Sequence, residues 1–324
     1  MTPTGGASGI HANAENQTIS GGGKHVIGTR TALIAALALV AFVLAQPAWA
    51  DQSLWYNTQS SWTSNSQLYS YDVSSGLSTD RGTLVGLKLL TDITFGADGT
   101  LYGVGWANAS ASGAARLYAI TPGDAGNPAS FTQLAVQGDF SGAPHGLEYH
   151  AGALYVSSGD KSFYKLAQLN DGSWMVEKEG HMNHASSGDL AFAPDGVLYA
   201  TVVNGNQTRL ATVNFDTTSN QFGRSDFVGG STGYAQVMGL AFQGGTLYAA
   251  ASSDNFSASK LITLNTSTGS ATFVGDLSQA AWGMAAGGGD GVPEPATVAL
   301  LAVGLVAMGF AKQARRPATA KSAK

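Results

Sequence analysis

Asp92, His145 and Asp189 are the residues of this chain whose types and positions could support metal or acid–base chemistry. Each stands at the start of an alternating apolar segment, and aligning those segments gives the openings Thr91-Asp92, His145-Gly146, Gly188-Asp189, Met238-Gly239 and Trp282-Gly283. Two carboxylates and an imidazole brought together could hold a divalent cation, and hard oxygen ligands would favour Ca²⁺ or Mg²⁺. The bland alternative is that acids at strand starts cap turns or face solvent, and two of the openings, at Met238 and Trp282, are apolar. His181 and His184 form a second pair at a spacing that can bind a transition metal, yet their loop, Lys178 to His184, offers no third carboxylate ligand with clear geometry. That pattern reads as a solvated loop. The body contains no nucleophile elbow, zinc-protease helix, phosphate loop or dinucleotide fingerprint, so no motif identifies a catalytic mechanism.

The elements that must position these residues are repeats. Asp92 to Tyr102 and Asp189 to Tyr199 are the fullest copies of one phrase, and Gly146 to Tyr155 and Gly239 to Tyr248 are variants of it. In each, alternating apolar residues give way to a glycine-containing turn and then to Leu-Tyr, which reads as a hairpin. A third strand follows at Leu117 to Ile120, Phe163 to Leu166, Leu210 to Val213 and Leu261 to Leu264. A weaker fourth is expected at Phe131 to Leu134, Trp174 to Val176, Gln221 to Phe227 and Ala271 to Val274. Four antiparallel strands per unit make the blade of a β-propeller. Successive Leu-aromatic pairs at Leu54, Leu101, Leu154, Leu198 and Leu247 are 47, 53, 44 and 49 residues apart, close to propeller repeat lengths.

The first pair, Leu54-Trp55, has no hairpin partner before it, and the last opening strand, Trp282 to Ala285, has none after it. Together they complete one blade and close the ring by pairing the chain ends, which removes exposed sheet edges. The expected fold is therefore all-β, a five-bladed propeller closed by its terminal strands. A six-bladed ring is the alternative, and a β-sandwich or β-helix is the competing architecture. Phe95, Tyr149, Phe192 and Phe242 share one register, as do Tyr102, Tyr155, Tyr199 and Tyr248, which marks them as filling between blades.

Both ends of the chain differ from this body. Lys24 and Arg30 precede the apolar stretch Ala32 to Leu44, and the small-residue site Ala48-Trp49-Ala50 follows, as a cleavable secretory signal peptide requires. Pro293-Glu294-Pro295 leads into the apolar run Ala296 to Ala311, and Lys312, Arg315 and Arg316 follow. That run of about 16 residues would reach roughly 24 Å as a helix, near the ~30 Å hydrocarbon core. With the basic cluster as a stop, it is expected to be a transmembrane helix that leaves the body outside. The organisation is then 1–50 extension and signal peptide, 51–290 propeller, and 291–324 sorting tail. Between Asp51 and Asp290 lie 19 of the 21 acidic residues and nine of the 16 basic ones, so the body is strongly acidic and unsuited to nucleic acid. There is no cysteine, so stability rests on a core rather than on disulfides.

The order Pro-Glu-Pro, apolar helix, basic end resembles the PEP-CTERM sorting signal, with an extension from Pro317 to Lys324 beyond the basic cluster. The resemblance implies recognition of Pro293, Glu294, Pro295, Arg315 and Arg316 by an exosortase at the inner membrane, followed by release to the cell surface or the extracellular space. It further implies a binding or structural role linked to exopolysaccharide and biofilm. The alternative function is a secreted metal-dependent hydrolase or lyase similar in plan to gluconolactonase-like propellers, with Asp92, Asp189 and His145 as its site.

Overall fold

The computed structural model describes residues 53–106, 115–124, 126–138 and 142–287. The signal segment with Ala48 and Ala50, and the tail from Pro293 to Arg316 with its apolar run, lie outside the described residues. Among the described residues there are strands, turns and loops, and no helix long and apolar enough to cross a membrane.

Twenty-one strands form five sheets arranged as the blades of a propeller. The chain enters with β1 (Ser53–Thr58), β2 (Gln67–Asp72) and β3 (Leu77–Thr83). The second blade is β4 (Leu89–Phe95), β5 (Leu101–Trp106), β6 (Arg116–Thr121) and β7 (Ser130–Leu134), and the short β8 (Val136–Gln137) follows it. The third is β9 (Pro144–His150), β10 (Ala153–Ser158), β11 (Ser162–Gln168) and β12 (Trp174–His181). The fourth is β13 (Ser186–Phe192), β14 (Leu198–Asn204), β15 (Gln207–Val213) and β16 (Ser225–Ser231). The fifth is β17 (Gln236–Gln243), β18 (Thr246–Ser252), β19 (Lys260–Leu264) and β20 (Ala271–Asp276), after which β21 (Ala281–Ala286) returns to the first blade.

In that first blade the sheet order is β21-β1-β2-β3, so the last strand is the innermost strand of the sheet that the first strands began. The register pairs Leu54 with Ala286, Trp55 with Ala285 and Tyr56 with Met284. Closure by the chain ends is thus observed, with five blades. The fourth strands depart from their expected bounds. β12 continues to His181, and β16 starts at Ser225 because Phe222 turns inward to pack against Phe163. β8 adds a parallel edge to the third blade through Trp174 and Val136, tying the second blade to its neighbour.

Alternation in the strands delivers side chains to the spaces between blades, where five apolar clusters form. Tyr102, Leu154 and Trp174 belong to one, Tyr155, Phe192 and Leu198 to another, and Tyr199, Leu240 and Leu247 to a third. Leu68, Ile93 and Leu101 fill the space beside the first blade, and Leu54, Tyr56 and Met284 close the circuit against the fifth. The recurring Tyr positions are therefore interblade filling, each fully buried large side chain contributing about 1.5–3 kcal/mol.

Every innermost strand is bulged near its start. The ladder skips Thr91 in β4, His145 in β9, Met238 in β17 and Trp282 in β21, and in β13 it skips from Ser186 to Leu190. A bulge removes one residue from the alternation and bends the strand. Its repetition at one register places the residue after it on the propeller axis.

Candidate functional site: axial carboxylates beneath a funnel

At the register of Asp92 the other four blades carry Gly146, Asp189, Gly239 and Gly283. The glycines make room for the two acids. A Cβ at Gly283 would overlap the Asp92 carboxylate, and one at Gly146 would sit 3.0 Å from the Asp189 carbonyl carbon. Asp92 and Asp189 are both fully buried.

Each is held by backbone amides from several blades. Ile93 N donates to Asp92 Oδ1 at 2.8 Å and Leu147 N to Oδ2 at 2.5 Å. Leu190 N donates to Asp189 Oδ1 at 2.6 Å, while Leu240 N at 2.7 Å and Met284 N at 3.1 Å both reach Oδ2. The two carboxyls lie close enough to act on each other. Burial, and for Asp92 the neighbouring Asp189 as well, raises both well above the ordinary carboxylate range. Two neighbouring acids without a counter-charge resist ionising together. Nearby, the buried Asn57 Oδ1 has no hydrogen-bond partner, while Asn57 Nδ2 donates to Leu90 O at 2.8 Å.

Two residues further along the strands stand Thr94, Glu148, Ala191, Ala241 and Ala285. Glu148 is the one acid of this tier. Thr94 Oγ1 donates to Glu148 Oε2 at 2.8 Å, and Phe192 N donates to Oε1 at 3.2 Å, joining the second, third and fourth blades. Burial lifts the Glu148 carboxyl to about 7, against the pull of these hydrogen bonds.

Glu148 lies in the wall of a funnel of about 800 Å³ that opens on the face bearing the hairpin turns. Its rim is small and rich in glycine. Ala151 and Gly152 both adopt positive φ, 49° and 83°, as do Gly244 and Gly245, the pattern of two-residue hairpin turns matched to strand twist. Phe95, Tyr149, Phe192 and Phe242 line the funnel, so residues that fill the space between blades also present surface to it. His150 is stacked on Phe192 with ring centroids 3.9 Å apart, and burial lowers its affinity for a proton.

The structure separates the residues grouped by sequence. Asp92 and Asp189 meet on the axis, but they are sealed rather than open at a mouth. His145 is the bulge residue itself, one place off their register. Its Nδ1–H donates to Ser186 O at 2.9 Å, its ring lies against Gly159, and burial lowers its pKa. Among the described residues no three His, Asp or Glu side chains group as ligands for a metal. Five amide N–H groups bond the four oxygens of Asp92 and Asp189. His181 borders a shallow groove of about 620 Å³ with Lys178 and Arg224. His184 stacks on Phe227 at 3.9 Å; burial, then Lys161 and Arg209, disfavour its protonated form.

The comparison that decides the handling of this chain concerns its tail. A family model described as the PEP-CTERM protein-sorting motif matches residues 291–316. The chain carries a PEP-CTERM sorting signal. The signal implies export with processing by a membrane-associated exosortase. No curated protein matches the chain in sequence. Among solved structures, a protein provisionally described as a gluconolactonase is 15% identical over 74% of this chain and 88% of its own, with a TM-score of 0.42. The PQQ-bound aldose sugar dehydrogenase of Streptomyces coelicolor is 15% identical over 64% and 74%, with a TM-score of 0.39. A chain of a nidogen/laminin complex is 12% identical over 72% and 97%, with a TM-score of 0.42. At these values the matches say nothing about activity.

Proposed function

We propose that this protein is a PEP-CTERM-sorted propeller that serves at the cell surface or in the extracellular matrix as a binding or structural component, with exopolysaccharide as its partner. The observation that carries this reading is the sorting motif at residues 291–316 attached to a closed propeller. In this reading segment 1–50 directs export, with cleavage after Ala50. Segment 296–311 holds the chain in the inner membrane until exosortase acts at Pro293-Glu294-Pro295, with Arg315 and Arg316 on the cytoplasmic side. The axial funnel supports a binding role, because it is open, lined by aromatic rings and backed by one carboxylate that can pair with a polar ligand.

The alternative reading, a hydrolase or lyase using a bound cation, would draw on Asp92, Asp189 and His145. The test is deletion of the exosortase followed by fractionation of the cells. The reading predicts that the protein accumulates in the inner membrane and that the surface polysaccharide layer changes. Unchanged location and unchanged surface would refute it.

A further inference from the structure

The funnel has a charge pattern that its shape alone does not require. Among its lining residues Glu148 is the single carboxylate, no Lys or Arg is present, and the one imidazole, His150, is stacked on Phe192 and resists protonation. Behind Glu148 lie the two buried acids Asp92 and Asp189, with no basic side chain at their register. Apart from Thr94, the rest of the lining is glycine, apolar or aromatic, including Phe95, Tyr149 and Phe242. The Glu148 oxygens accept one hydrogen bond each from Thr94 and Phe192, and a carboxylate oxygen has capacity for another. A desolvated carboxylate with aromatic faces around it attracts an organic cation by ion pairing and by cation–π contact, and it discriminates against anions. The funnel, lined among others by Ala241, Ala285 and the glycine turns, has a volume of about 800 Å³, room for a sugar ring.

We infer that the axial funnel binds a sugar residue bearing a free, protonated amine, with Glu148 as the counter-charge and the lining rings as the stacking surface. This rests on the polysaccharide-binding reading above and names the sugar chemistry within it. An N-acetylated or hydroxyl-only sugar of the same size would fill the funnel without meeting the charge. An acidic sugar would be repelled.

The experiment is calorimetric titration of the full chain at pH 7.5, above the value of about 7 to which burial lifts Glu148, with three trisaccharides: glucosamine trimer, N-acetylglucosamine trimer and cellotriose. The expected result is binding of the glucosamine trimer at least about tenfold tighter than that of the other two. Glu148→Gln, which keeps the shape of the side chain, should abolish the difference, and folding of the variant is checked by circular dichroism. Ala97→Lys offers a second route, because Ala97 is an exposed rim residue whose replacement adds a competing cation without touching the core; it should weaken the glucosamine trimer and leave cellotriose unchanged. Equal binding of all three sugars overturns the amine assignment while leaving the polysaccharide reading standing. No binding by any of them overturns the funnel as a glycan site altogether, and a folded Glu148→Gln protein that still prefers the amine overturns the role of Glu148.

Discussion

Asp92 and Asp189, on the innermost strands of two blades with a third blade between them, are both fully buried and act on each other across the propeller axis. Through Leu147, Leu240 and Met284 the same two side chains also accept amides from the other three blades. Removing either side chain would strand buried N–H groups, whose desolvation is costly. The axis is therefore an acid clasp that fixes how the blades converge beneath the funnel.

Asp189→Ala should cost about 3–5 kcal/mol, because it leaves the Leu240 and Met284 amides unpaired and deprives Asp92 of its partner. Asp189→Asn, whose carbonyl oxygen can still accept the Leu240 and Met284 amides but whose NH₂ replaces the oxygen that accepts from Leu190 N, should cost less, about 1–3 kcal/mol. Urea unfolding of the two variants measures the contrast, and equal losses would show that the amide clasp is not the source of stability.

The protonation of the axis predicts an inverted pH profile. Asp92, Asp189 and Glu148 all have folded-state pKa values above their ordinary ones, so the folded chain holds protons that the unfolded chain has released, and stability falls as pH rises. For Glu148 the loss runs from its ordinary value of 4.5 to about 7 and amounts to roughly 3 kcal/mol at most. Exposed turn carboxylates such as Asp72, Asp171, Asp216 and Asp254, lowered chiefly by hydrogen bonds from Ser or Thr, act oppositely and only at more acid pH. Thermal unfolding should therefore occur at higher temperature at pH 5 than at pH 8. Glu148→Gln should flatten the slope between those values.

Gly283→Ala should be among the most damaging single-methyl changes in the protein. The added Cβ would overlap the Asp92 carboxylate and lie 2.8 Å from Asn57 Oδ1. A loss of about 2–4 kcal/mol is expected, as for other overpacked cores. Gly230→Ala is the control, since nothing lies within 4 Å of its added Cβ; its melting temperature should move little.

Replacing Pro293, Glu294 and Pro295 together by alanine should leave the propeller folded but retained in the membrane fraction, as judged by fractionation and by protease resistance of the exposed body. Release into the medium at the normal level would contradict processing at that motif.

The blades were legible because each repeat carries its own hairpin: Leu101-Tyr102 and Leu198-Tyr199 follow Asp-Gly turns whose glycines adopt φ of 81° and 85°. Ring closure was legible from two strands without partners, Leu54-Trp55 and Trp282 to Ala285. The site was harder to read for a specific reason. Asp92 follows the skipped Thr91 and Asp189 ends the unpaired stretch between Ser186 and Leu190, whereas His145 is itself the skipped residue and aligns with Thr91 and Gly188, so the three do not share one register. Glu148 was overlooked inside a repeat assigned to structure, although the signal was available: it is an acid where the equivalent positions hold Thr94, Ala191 and Ala241.

Closure and export can be read together from one engineered disulfide, since the chain has no cysteine of its own. Gly287 N bonds Ser53 O at 2.8 Å, which makes the next pair, Leu54 and Ala286, a non-hydrogen-bonded pair with side chains close enough for a disulfide. In the Leu54→Cys/Ala286→Cys chain, thiol labelling should find the two cysteines oxidised to each other in the exported protein and reduced when residues 1–50 are deleted. Free thiols in exported protein that is otherwise folded would contradict a wheel closed by its own ends, and oxidation irrespective of residues 1–50 would contradict the export they direct.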